Sequence, residues 1–151
     1  MKSLSLISLS LLFCGCHSTI EQKNVKQYTA EQLYNNNYVY GAGFNADETQ
    51  VLAGANNSGI FNVYTISIAD TAMKALTHSL KDSYFAAGYL PGTNNFLYSA
   101  DQGGNENSHV YLQKPSGPQA KDITPWKGSK NGVVGWSDDK NRFIFRAINA
   151  T

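Results

Sequence analysis

Residues 89–97 read Tyr89-Leu90-Pro91-Gly92-Thr93-Asn94-Asn95-Phe96-Leu97, an aromatic residue, a run of turn formers and a return to an apolar pair. The same pattern stands at Phe44-Asn45-Ala46-Asp47-Glu48-Thr49-Gln50-Val51-Leu52 and at Trp136-Ser137-Asp138-Asp139-Lys140-Asn141-Arg142-Phe143-Ile144. The aromatic anchors are 45 and then 47 residues apart. A second set of anchors keeps step, because Val63-Tyr64 returns as Val110-Tyr111 and Leu76-Thr77 as Ile123-Thr124, both 47 residues on. A fixed period of about 40–50 residues, with several short strands in each unit, marks a β-propeller blade.

The strands follow from the turns between them. In the first unit they fall at 38–44, 50–55, 61–68 and 72–77, and in the second at 83–89, 95–100, 108–114 and 120–124. The third unit offers 131–136 and 142–148. Alternation over Phe61–Ile68 leaves one clearly apolar face. Gly41, Ala42 and Gly43, and likewise Ala86, Ala87 and Gly88, suit an inner strand at a crowded propeller centre. Their aromatic neighbours, Trp136 included, read as core. The expected fold is all-β, a partial β-propeller of two four-stranded antiparallel blades (about 38–77 and 83–124) plus half of a third (131–151), after an N-terminal signal segment. Propellers close with about four to eight blades, so the sequence reads as the N-terminal part of a longer protein. The alternative is a ten-stranded β-sandwich, against which the in-register repeats argue.

The first 15 residues carry one lysine and a short apolar run diluted by serines. About ten residues cannot span a ~30 Å hydrocarbon core as a helix, so the segment reads as a signal peptide. It ends in Phe13-Cys14-Gly15-Cys16, which resembles a bacterial lipobox with cleavage before Cys16 and a diacylglycerol on its thiol. Two acyl chains give stable anchoring. His17 in place of an aspartate favours the outer membrane by the same resemblance. Residues 16–27 form a polar tether, and 28–151 form the incomplete propeller. Thr29 with Gln32 three residues on is a capping-box pattern, consistent with a turn or two of helix.

Composition removes several classes. No cysteine follows Cys16, so no disulfide framework or cysteine metal site is expected. With a net charge of +1 and 15% charged residues, no basic stripe exists to bind nucleic acid. No cofactor is expected. The Asn56-Asn57-Ser58 and Asn149-Ala150-Thr151 sequons read as chance matches in an exported bacterial chain.

Four stretches carry a family likeness: Phe44-Asn45-Ala46-Asp47-Glu48, Ser58-Gly59-Ile60-Phe61-Asn62-Val63-Tyr64, residues 101–111 (Asp-Gln-Gly-Gly-Asn-Glu-Asn-Ser-His-Val-Tyr) and Gly135-Trp136-Ser137-Asp138-Asp139. Together over about residues 28–151 they resemble the propeller of prolyl oligopeptidase family serine peptidases, in the dipeptidyl-aminopeptidase and acylaminoacyl-peptidase branch. The resemblance implies a propeller that caps an α/β-hydrolase domain and admits peptides to a Ser-His-Asp triad. No Gly-x-Ser-x-Gly elbow occurs in these residues, and His17, His78 and His109 find no nucleophile in the sequence pattern. No catalytic residue and no metal ligand is therefore assigned. The rival expectation is a non-catalytic envelope lipoprotein with a Tol-type propeller that binds a protein or glycan partner.

Among binding candidates, residues 101–107 form the densest polar cluster. Asp101, Asn105 and Glu106 are its candidate contacts to a substrate terminus or an ion, and the competing reading is a strand connector turned at Gly103-Gly104. Asp138-Asp139 sits in the turn slot of the repeat, where adjacent carboxylates diverge. Trp126 has no counterpart in the first unit and is open to stacking on a sugar or peptide. The membrane partner is reached through Cys16. Replacing it, Cys16→Ala, is expected to abolish incorporation of labelled palmitate and to move the protein out of the membrane fraction; an unchanged distribution and label would mean an ordinary secretory signal.

Overall fold

The computed structural model describes residues 25–117, 119–139 and 142–149. The signal segment, Cys16 and most of the tether lie outside the described residues. Two units separate at Tyr34/Asn35. In the first, α1 (Ala30–Tyr34) starts with a reciprocal capping box. The Thr29 amide donates to Gln32 Oε1 at 3.0 Å, and the Gln32 amide donates to Thr29 Oγ1 at 3.1 Å. These bonds satisfy two donors that a helix start leaves unpaired.

The second unit is all-β and antiparallel. Strands β1 (Val39–Phe44), β2 (Gln50–Ala55), β3 (Asn62–Ser67) and β4 (Met73–Ala75) form one sheet in chain order. Strands β5 (Phe85–Tyr89), β6 (Phe96–Ala100), β7 (His109–Gln113) and β8 (Lys121–Asp122) form a second of the same order. A two-stranded sheet follows, β9 (Ser129–Trp136) with β10 (Phe143–Asn149). Every strand begins and ends within two residues of its expected place, which leaves the outer strands β4 and β8 the shortest. Among the described residues no sheet closes on itself.

The first strand of each sheet carries a bulge about two residues before its aromatic anchor. The register slips around Ala42-Gly43 in β1, at Ala87 in β5 and at Val134 in β9. A bulge bends its strand and re-aims the residues that follow. Gly43 sits at φ 115° and Gly88 at φ 148°, backbone that side chains rarely adopt. A Cβ on Gly43 would meet nothing within 4 Å. This glycine answers to backbone geometry, and not to the crowding expected of a propeller centre. Val39, Gly41, Gly43 and Phe44 are all exposed, whereas Tyr40 and Ala42 between them pack against the core at the second sheet.

The core is the seam between the two four-stranded sheets. Leu52 and Val63 from the first meet Ala86, Tyr89, Phe96 and Tyr98 from the second. Phe96 is fully buried, and such a side chain contributes ~1.5–3 kcal/mol through its burial. Polar contacts lock the seam: Thr65 Oγ1 and the Tyr89 hydroxyl lie 3.1 Å apart, and the Tyr40 hydroxyl donates to the Ala86 carbonyl at 3.3 Å. On β3 the buried side is Val63 and Thr65, which face this seam, whereas Ile66 is half-buried and Ile68 is exposed. The larger apolar side chains of that strand thus lie away from the core, since packing partners and not side-chain size decide which face is covered.

Only one of the three anchors is core. Tyr89 is buried against the first sheet; Phe44 is 59% exposed, and Trp136 is half-buried against Phe143. The reading of Trp136 as core is corrected accordingly.

Tyr98 stacks between Tyr84, at 4.8 Å, and Tyr111, at 5.2 Å. Burial, then the two neighbouring phenols, push its hydroxyl well above the ordinary phenol range. A pKa raised by folding means that the native state holds its proton more tightly than the unfolded chain does. Stability from this group is whole below about pH 10 and falls as pH rises beyond it. The urea midpoint should hold steady between about pH 8 and about pH 9.5 and then drop, and Tyr98→Phe should shallow the drop. An alkaline profile identical in the variant would refute this assignment.

Candidate functional site

The two four-stranded sheets repeat one corner with different chemistry. In the first, Asn62 opens β3 and is 2% exposed. Its Oδ1 accepts from Thr77 Oγ1 at 2.9 Å and from the Ser79 amide at 2.8 Å, and its Nδ2 donates to the Ser79 carbonyl at 3.0 Å. Nδ2 donates also to Ser58 Oγ at 3.1 Å, so the amide is fully consumed in joining the start of β3 to the turn before it and to the chain after β4. The position 47 residues on is His109, which opens β7. There the imidazole Nδ1 lies 2.6 Å from Asp122 Oδ2, and the two side chains are 21% and 29% exposed.

The rest of the corner is conserved between the two sheets. The Val63 amide donates to Thr77 Oγ1, and the Val110 amide donates to Thr124 Oγ1, both at 2.8 Å. The second oxygen of Asp122 accepts from the Thr124 amide at 2.9 Å. A carboxylate on Nδ1 selects the tautomer that carries the proton there, so the neutral ring presents Nε2 as an acceptor. Nε2 has no hydrogen-bond partner among the described residues.

His109 lines a cleft of about 430 Å³ together with Gln102, Asn105, Asn107, Tyr111 and Lys127. Burial raises the Tyr111 hydroxyl, and the Asp122 carboxylate raises it further, while a hydrogen bond with Gln102 works the other way. The cleft therefore offers three amides, one phenol, one ammonium and one oriented imidazole: groups that hold a polar ligand, with no nucleophile set against the imidazole.

The three sequence candidates of this loop separate. Asp101 Oδ2 accepts from the Glu106 amide at 3.0 Å, so that carboxylate shapes the loop. Glu106 has φ 59° and pairs with Lys130 at 3.6 Å across open solvent, an arrangement worth little. Asn105 accepts from the Asn107 amide through Oδ1 at 3.0 Å and is the only one of the three that lines the cleft. Gly103 and Gly104 turn the chain at positive φ, and the Gly103 amide donates to Asp82 Oδ1 at 2.9 Å. Among the described residues no group of three or more His, Cys, Asp or Glu side chains converges to hold a metal ion.

The remaining candidates lie apart. Asp139 accepts from the Ser137 hydroxyl at 2.5 Å, as Asp47 does from Thr49 at 2.7 Å, both within turns. Trp126 is 47% exposed and stacks on Phe145 with centroids 5.5 Å apart. The anchors Phe44, Tyr89 and Trp136 line a second cleft of about 310 Å³ with Asn45, Glu48 and Pro91, a convergence that their reading as core concealed.

The His109–Asp122 pair also escaped the sequence, although the repeat held its trace. Register pairs Tyr64 with Ala75 and Tyr111 with Asp122. Unit two thus carries two ionisable side chains where unit one has Asn62 and Ala75. Comparison with known protein families found no match, and neither did comparison with curated proteins.

With the imidazole neutral, ¹⁵N spectra should show His109 protonated on Nδ1. Asp122→Asn should shift the tautomer population toward protonated Nε2; an unchanged tautomer would mean that the carboxylate does not orient the ring.

Proposed function

We propose that this chain is the propeller portion of a cell-envelope serine peptidase, anchored to the membrane through a lipidated Cys16. In this reading it gates and positions peptide substrates for an α/β-hydrolase domain outside these 151 residues, and it has no hydrolytic activity of its own. The observation that carries the reading is the pair of four-stranded antiparallel sheets of identical order, built on the repeat in which the family resemblance lies. The bulge at the same point of each first strand and the polar seam between the sheets support the view that the units are blades. The polar cleft at His109 favours the second reading, a non-catalytic envelope lipoprotein that binds a protein or glycan partner.

An antibody raised against residues 28–151, used on membrane fractions, separates the two. A band several times larger than 16.5 kDa that is labelled by a fluorophosphonate serine-hydrolase probe is expected. A band that takes no label would overturn the peptidase reading and leave the binding protein.

A further inference from the structure

We infer that the cleft beside His109 is a binding site for a neutral carbohydrate, one that presents neighbouring hydroxyls. The inference stands under either reading above, because it rests on this chain's own side chains. The first sheet shows what the corner looks like as pure structure: Asn62 is buried and every polar atom of its amide is used. The second sheet breaks that closed arrangement. It replaces the amide with an imidazole that is part exposed, pinned on one nitrogen by Asp122, and open on the other. A structural pin gains nothing from an open acceptor in a cleft, whereas a binding site needs one.

The surrounding groups decide the class of ligand. Neutral Nε2 in this tautomer accepts and cannot donate, so it asks for a hydroxyl or amine donor. Gln102, Asn105 and Asn107 line the same cleft. Asn105 Oδ1 already takes the Asn107 backbone amide, and Gln102 is bonded to the Tyr111 hydroxyl. That leaves the Asn107 side-chain amide and the remaining Asn105 and Gln102 capacity to give to one hydroxyl while taking from its neighbour. Lys127 donates only, which suits a ring or hydroxyl oxygen and opposes a cationic ligand. The one carboxylate at the imidazole, Asp122, is spent on His109 and the Thr124 amide. No second cation lines the cleft to balance a multiply charged anion.

An aromatic surface completes the set. Tyr111 lines the cleft together with the apolar ring of Pro125. One face of the Tyr111 ring is stacked on Tyr98, with centroids 5.2 Å apart. A flat apolar surface beside a row of amides matches the two faces of a sugar ring, its C–H side and its hydroxyl edge. An extended peptide would instead be expected to pair along a strand edge, and this cleft is built from loop and strand-end side chains.

The test uses the full chain in mild detergent with maltotetraose, cellotetraose, the N-acetylglucosamine tetramer and, as the peptide control, tetraalanine. Binding is read by calorimetry and by tryptophan fluorescence. At least one sugar is expected to bind saturably with a Kd below about 1 mM, and tetraalanine is not. His109→Asn restores the residue of the first sheet while removing the imidazole acceptor. Asn107→Ala removes a cleft amide whose loss leaves the strands untouched. Each is expected to weaken sugar binding by about tenfold or more at an unchanged thermal transition. Three results would overturn the inference: no binding of any of the three sugars, sugar binding that neither variant alters, or competition by tetraalanine for the same site. If His109→Asn fails to fold, Asn107→Ala decides alone.

Discussion

One backbone hydrogen bond, made twice, joins each sheet to the next. The Tyr84 amide donates to the Phe61 carbonyl at 2.9 Å, and 47 residues later the Asn131 amide donates to the Ser108 carbonyl at 2.7 Å. Each ties the start of a new unit to the residue just before the third strand of the preceding one. The bond has a fixed length and direction, so it sets where the next sheet begins. Side chains then fill the seam that results. In the first seam they are Leu52, Val63, Phe96 and the tyrosines. In the second the partner is Asn131 itself, whose Nδ2 also donates to the Ser108 carbonyl at 3.1 Å. Its Oδ1 is buried without a partner, a desolvation cost of ~1–3 kcal/mol that the first seam avoids.

The architecture was legible because turn chemistry and period are local properties. Asn45 through Thr49 and Pro91 through Asn95 announce hairpins whatever surrounds them, and the spacing of the aromatic anchors announces that the hairpins recur. Burial was less legible. Phe44, Tyr89 and Trp136 occupy equivalent positions, yet only Tyr89 is buried, covered by Leu52, Val63 and Thr65 of the first sheet. Equivalence in a repeat predicts conformation, which each unit sets for itself, and fails to predict burial, which its neighbours set.

The candidate site fell between these two cases. Asp101, Asn105 and Glu106 stood out as a polar cluster, but most of their capacity goes into holding the loop. The His109–Asp122 pair is 13 residues apart in sequence and meets only because β7 and β8 are adjacent strands. A departure from the repeat is therefore the feature to seek in chains of this kind. Where one unit closes its polar groups on themselves and the next holds ionisable side chains at the same register, the second has been freed from a purely architectural task.

The outer strands β4 and β8 contain three and two residues. A strand that short offers almost no free donors or acceptors to a passing chain. Sideways recruitment of another strand, the first step in the growth of fibrous deposits, is thus blunted at the rim of both complete sheets. At that rim a newcomer must meet side chains and not a free backbone ladder, which leaves the longer edge strands β1 and β5 as the places where a ladder could grow.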